Sequence, residues 1–195
     1  ASATRYPDKP ATVFFDQVLS YAQLRDAALR MAAWLHRQGV RPGDRVILLM
    51  QNCPQHVIAY YGILRANAVV VPVNPMNRRE ELRHYVRDTG ARVAFVAQDL
   101  YPEIAAVQAE GLAHLAVAAY SDYLRHPTDL PVPSFVAAPR EAVAGAGVTL
   151  WRELLARDLR PGPVIAGPDD LCVMPYTSGT TGHPKGCMHT HRSTM

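Results

Sequence analysis

Short apolar runs alternate with longer amphipathic stretches along most of this chain, and each change of period predicts a change of element. Residues 11–15 have the pattern of a short strand closed by an Asp16-Gln17 turn. A helix should follow: Ser20 is placed as N-cap with Gln23 at the capping-box position, Leu24, Ala28, Met31 and Leu35 share one stripe, and Gly39 lies past the end. Arg41-Pro42-Gly43-Asp44 is turn chemistry, and residues 45–50 form a continuous apolar run suited to a strand buried on both faces. Asn52 or Cys53 then caps a helix with Pro54 in its first turn, which should carry Val57, Ile58, Tyr61 and Leu64 inward. Residues 64–75, LRANAVVVPVNP, return the chain to a second buried strand.

Asn77 with Glu80 opens a third helix ending near Thr89-Gly90, and residues 92–97 are a third strand. Asp99 is placed as the cap of a helical stretch to about Glu110, and residues 112–119 are a fourth strand, with a short helix as the alternative. Strand and helix in regular alternation predict an α/β fold, a mainly parallel sheet flanked by helices. Residues 127–147 change character, with four prolines and two glycines, and predict an exposed connection. Thr149 should cap a short helix over residues 150–157, after which a Pro/Gly-rich segment leads to an apolar strand at residues 171–174. No internal repeat is present. The implied organisation is an α/β subdomain over 1–126, a connection with a short helix over 127–168, and a strand-loop-strand unit over 169–195.

Composition narrows the function classes. With 195 residues and 49% hydrophobic content, the chain can bury a core, which excludes a disordered one. The net charge of +3 is spread without a basic run, so no nucleic-acid partner is expected. The odd cysteine count, Cys53, Cys172 and Cys187, fits a reducing, cytoplasmic compartment. No apolar run approaches a transmembrane segment, and peripheral contact with a membrane is left open.

The chemistry concentrates in residues 176–186, YTSGTTGHPKG, directly after an apolar strand. Gly179 and Gly182 lack Cβ atoms, so consecutive N–H groups can converge on an anion. Thr177, Ser178, Thr180 and Thr181 add short hydroxyl donors, and Lys185 adds a point charge. A loop after a buried strand also lies at the carboxyl edge of the sheet, where open α/β folds bind ligands. The spacing is not that of a Walker A loop, because His183 and Pro184 stand between Gly182 and Lys185. A Ser/Thr/Gly-rich surface turn would explain the glycines, but not the lysine and hydroxyls together.

This motif resembles the phosphate-binding loop of the adenylate-forming (AMP-binding) enzymes, the superfamily of acyl-CoA synthetases, luciferases and peptide-synthetase adenylation domains. LSYAQL at residues 19–24 and residues 64–75 resemble further landmarks of that family, with Asn67 where glycine is common; asparagine tolerates the same left-handed backbone. The resemblance covers the chain as the N-terminal part of the family's large domain. It implies ATP-dependent activation of a carboxylic acid, most like a fatty acid, to an acyl adenylate and then to an acyl-CoA. ATP, Mg2+ and coenzyme A are the cofactors and substrates so implied. It assigns Thr177, Ser178, Gly179, Thr180, Thr181, Gly182 and Lys185 to the phosphates, with Lys185 neutralising charge in catalysis, Thr177 also to magnesium, and Tyr176 to packing beneath the loop. The following segment, GCMHTHRSTM, is similar to the strand that walls the acyl pocket in acyl-CoA synthetases, which would make His191 a wall residue.

Cys187, His189 and His191 alternate and would share one face of a strand. Three such ligands would spread over ~13 Å, too far for one zinc ion. The resemblance leaves the adenine-binding segment and the C-terminal lysine of the family without counterpart, so the chain alone is expected to be inactive. Two other functions stay open: a non-catalytic nucleotide- or phosphate-binding module, and a structural fragment whose sheet edge drives association into a homodimer.

Overall fold

The computed structural model describes residues 2–177 and 184–194. In chain order its elements are α1 (Ser2–Arg5), β1 (Pro10–Phe14), β2 (Gln17–Ser20), α2 (Tyr21–Arg37), β3 (Arg45–Leu49), α3 (Pro54–Arg65), β4 (Val69–Pro72), α4 (Arg79–Thr89), β5 (Val93–Ala97), α5 (Tyr101–Ala105), β6 (His114–Ala118), α6 (Ser134–Ala137), β7 (Val148–Leu150), α7 (Trp151–Ala156), β8 (Leu171–Val173), β9 (Tyr176–Thr177), β10 (Lys185–Gly186) and β11 (His189–Thr190), with short 3-10 turns between. Seven strands make one sheet in the order β11-β8-β4-β3-β5-β6-β7. Every neighbouring pair is parallel except β11, which returns antiparallel on β8. The expected α/β architecture is therefore present. Among the described residues no helix is long and apolar enough to cross a membrane.

The continuous apolar strands are explained by what covers them. In β3 and just beyond, Val46, Leu48 and Met50 face one hydrophobic cluster and Ile47 and Leu49 the other, the period of two that a strand imposes. On the first face lie α2, α3 and α7, with Met31, Trp34, Leu35, Ile58, Ile63 and Leu154 all fully buried. On the second lies α4 with Leu82, Tyr85 and Val86, joined by Ile104 of α5. Each such side chain contributes roughly 1.5–3 kcal/mol by leaving water. The connection through α3 runs from β3 to β4 on one side, and the connection through α4 jumps back over β3 to β5 on the other face. The strand order thus reverses at β3, and the carboxyl ends of β3, β4, β5 and β8 share one edge of the sheet.

Local signals set the boundaries. Ser20 and Gln23 form the expected reciprocal box, Gln23 N–H donating to Ser20 Oγ at 3.3 Å and Ser20 N–H to Gln23 Oε1 at 2.8 Å. Cys53, not Asn52, caps α3 by accepting from His56 N–H at 3.3 Å, and burial pushes its thiol up to about 12. It is a structural cysteine with no thiolate to offer. Asn67 takes the left-handed backbone, φ 62°, a conformation asparagine tolerates. Its carboxamide also pins the later connection, donating to Pro163 O at 3.1 Å and accepting from Ile165 N–H at 2.9 Å and Ala166 N–H at 3.2 Å.

Several elements differ from the sequence reading, each for a local reason. Residues 15 and 16 form the turn, both at positive φ (45° and 63°), and Gln17–Ser20 is a second hairpin strand pairing with β1. Tyr61, which the helical pattern places inward, is 53% exposed. The seam of α3 against α2 is centred on Gly62, where a Cβ would lie 2.7 Å from Met31 Cβ, and Tyr61 is rotated about 100° away from that seam. Helix α4 opens one residue later than Asn77 and Glu80 suggest, with Arg78 N–H donating to Glu81 Oε2 at 3.0 Å. Asp99 sits inside the 3-10 turn Gln98–Leu100 rather than ahead of a helix, and the stretch to Glu110 is broken rather than one helix. Residues 112–119 contain a strand, since β6 pairs with β5 along its length. Thr149 lies in edge strand β7, paired with Ala116, so α7 starts at Trp151.

Candidate functional site

The two ends of the TSGTTGHPKG segment are held as a hairpin stem at the carboxyl edge of the sheet. After β8, Met174 N–H donates to Val70 O at 2.8 Å, which ties the chain to β4 before it turns outward. β9 and β10 then pair antiparallel, Lys185 opposite Thr177 and Gly186 opposite Tyr176. Cys187 N–H donates to Pro175 O at 2.8 Å and extends the pairing at its base. Directly opposed residues project from the same face of a ladder with Cβ atoms on the order of 5 Å apart. The Thr177 hydroxyl and the Lys185 ammonium therefore serve one face of the stem. Ser178, Gly179, Thr180, Thr181 and Gly182 lie outside the described residues.

Gly186 shows why the last glycine of the motif belongs there. A Cβ at that position would lie 3.0 Å from both Cγ and Sδ of Met174 and 3.4 Å from Tyr176 Cζ. A side chain there would require Met174 to shift by a few tenths of an ångström for the stem to close on its base as it does.

The stem is braced against α4. The Tyr176 hydroxyl donates to Asp88 Oδ2, and its ring packs 4.4 Å from the ring of Tyr85 and edge-on to His84 at 6.0 Å. Burial, reinforced by the bond to Asp88 and by its charge, raises the Tyr176 phenol above its ordinary value, so it stays a donor. On the other limb, His84 Nε2 lies 2.8 Å from the carbonyl oxygen of Pro184. That oxygen can only accept, so Nε2 carries the hydrogen. Neither His84 nor Asp88 stood out in the sequence. The available signal was their i, i+4 spacing on an otherwise amphipathic helix, which puts both on one face.

Magnesium can be tested against the donors present. Thr177 offers one neutral hydroxyl, whose described neighbour is the Cys187 sulfur at 3.7 Å. One oxygen does not build a resident magnesium site, but it fits an ion carried by phosphate oxygens and water, the usual mode for Mg2+. The alternating Cys187, His189 and His191 do not share a strand face. Lys185–Gly186 pairs with β9 whereas His189–Thr190 pairs with β8, with an irregularity in register between His189 and Thr190. Among the described residues no group of three or more His, Cys, Asp or Glu side chains could hold a metal ion. His191 lies in the turn after β11, its N–H donating to Asp170 O at 3.1 Å.

Fold and stem together define a class: an α/β protein whose Ser/Thr/Gly-rich hairpin stands at the carboxyl edge of a parallel sheet. The chain belongs to the AMP-binding enzyme family, whose model matches residues 1–195. Over 200 aligned residues it is 32% identical to a long-chain-fatty-acid–CoA ligase of Bacillus subtilis (strain 168), an alignment that spans all of this chain and 36% of that protein. Among solved structures, an anthranilate CoA ligase in complex with anthranoyl-AMP matches with a TM-score of 0.79 at 25% identity, over 98% of this chain and 33% of that one. A fatty acyl CoA synthetase of Mycobacterium tuberculosis matches with a TM-score of 0.72 at 28% identity, over 97% of this chain and 33% of that one. The chain thus spans about a third of the length of these relatives.

Proposed function

We propose that the protein to which this chain contributes its AMP-binding region activates a carboxylic acid with ATP and passes the acyl group to the thiol of coenzyme A. In the first half-reaction a carboxylate oxygen attacks the α-phosphorus, the bond to the bridging oxygen breaks, and pyrophosphate leaves. In the second, the thiol sulfur attacks the acyl carbon and AMP leaves with the bonding electrons. The step most in need of help is the first, because negative charge gathers on the departing pyrophosphate. Lys185 and Thr177 would meet that charge, with Ser178, Gly179, Thr180, Thr181 and Gly182 between them in sequence. A magnesium ion carried by the nucleotide would share the same charge and touch the Thr177 hydroxyl.

The observation that carries this proposal is the register of the stem, which sets Lys185 directly across from Thr177 at the carboxyl edge of the sheet. A fatty acid is the proposed substrate. Support for it comes from the long-chain-fatty-acid–CoA ligase of Bacillus subtilis and the fatty acyl CoA synthetase of Mycobacterium tuberculosis, although the anthranilate ligase shares the fold. His191 is kept as a proposed wall of the acyl pocket. The reaction is proposed for the full-length protein, and the 195-residue chain by itself is expected to be inactive in ATP–pyrophosphate exchange.

The test is exchange by the full-length protein across a panel of acids. Medium- and long-chain saturated acids should give the highest kcat/KM, above anthranilate and benzoate. Preference for an aromatic acid would overturn the choice of substrate, and exchange with no acid would overturn the ligase proposal itself.

A further inference from the structure

The geometry points to a second role for helix α4: it is the brace that fixes both ends of the phosphate loop, with His84 and Asp88 as positioning residues. This rests on the phosphate-binding proposal above and adds to it how the loop is held. Tyr176 enters the loop and is bound by its phenol to the Asp88 carboxylate. Pro184 leaves it and is bound by its carbonyl to His84 Nε2 at 2.8 Å. The two anchors are four residues apart on one helix, so a single rigid element grips both limbs.

The rest of the contact makes that grip specific. The Tyr85 ring, only 5% exposed, lies under Tyr176, and the Asn77 amide fixes the Tyr85 hydroxyl by donating to it at 2.7 Å. The opposite side of α4 is sealed into the core by Leu82 and Val86. The helix therefore cannot follow the stem if the stem shifts, and any slide of β9 along α4 breaks the Asp88 bond and the ring contact together. Transition-state donors must be placed within roughly 0.5 Å to act. Among the described residues the ladder between β9 and β10 spans two residue pairs with one further bond at its base, too short to supply that placement alone.

A merely structural role would lower folded yield without favouring one half-reaction. The test therefore uses the full-length protein and measures two rates in each preparation: pyrophosphate release in the adenylating step, and acyl transfer to coenzyme A from chemically prepared acyl adenylate. Their ratio does not depend on the fraction folded. His84→Ala and Asp88→Ala should each slow the first rate by about 10- to 100-fold relative to the second. His84→Gln keeps an N–H at similar reach and should recover most of the loss. Tyr176→Phe combined with Asp88→Ala should be no worse than either alone, since the two share one bond.

An unchanged ratio in both alanine variants overturns the brace, whether or not the absolute rates fall; so does a failure of His84→Gln to improve on His84→Ala. Lys185→Ala separates this from the underlying proposal. If it shifts the ratio while the α4 variants do not, only the brace fails. If it also leaves the ratio untouched, the phosphate-binding proposal fails with it.

Discussion

Replacing Lys185 by alanine in the full-length protein should slow acyl-adenylate formation by about 10²–10³-fold, the typical loss when one preorganised donor to developing charge is removed. Transfer to coenzyme A from preformed adenylate should change only slightly, because pyrophosphate has already gone. The reason is positional. Lys185 stands opposite Thr177 in the stem, and on the proposed function its ammonium would meet the leaving group rather than the acyl carbon. Arginine at the same position keeps the charge but spreads it over a planar fork, and should restore only part of the rate. Rapid-quench measurement of each half-reaction checks this, and equal losses in both would place Lys185 elsewhere in the mechanism.

The largest expected effect on stability comes from Gly147→Ala. Gly147 has φ 72°, and a Cβ built there would sit 2.0 Å from the carbonyl oxygen of Ala113 and 3.1 Å from its carbon. Left-handed backbone alone costs an alanine roughly 1–2 kcal/mol. The clash is with backbone, so it can be relieved only by moving the ladder in which Leu115 N–H donates to Gly147 O at 3.0 Å. Together these should cost about 4 kcal/mol, the range reserved for strain that cannot relax. Gly39 supplies the control: its φ is 79° but a Cβ there would meet nothing within 4 Å. Gly39→Ala should show only the conformational part, about 1 kcal/mol. Urea denaturation followed by circular dichroism distinguishes them, and similar midpoints for the two variants would mean that β7 is not held as described.

Much of this molecule is legible in its sequence because the sheet is buried on both faces. That forces β3, β4 and β5 to be continuous apolar runs, and it forces amphipathic helices with good caps between them, as Ser20 and Gln23 show. Short edge elements are harder to read. β2 merges into the cap of α2, and β7 is three residues long and runs straight into α7, so neither displays enough of its period to be recognised. Tyr61 departs from its pattern because the α2–α3 seam is set by Gly62, whose contribution is an absent side chain. At the candidate site, the loop announces itself by composition, whereas its support does not. His84 and Asp88 are ordinary polar residues on a helix 88 or more positions before their partners, and only the fold brings them to Tyr176 and Pro184.

If the segment between Thr177 and Lys185 holds a polyphosphate tail while an acid is being activated, a crystal structure of the full-length protein with a non-hydrolysable ATP analogue will show it. The β- and γ-phosphate oxygens should lie within hydrogen-bonding distance of Thr177 Oγ1 and Lys185 Nζ. Well-ordered phosphates bound away from both atoms would contradict it.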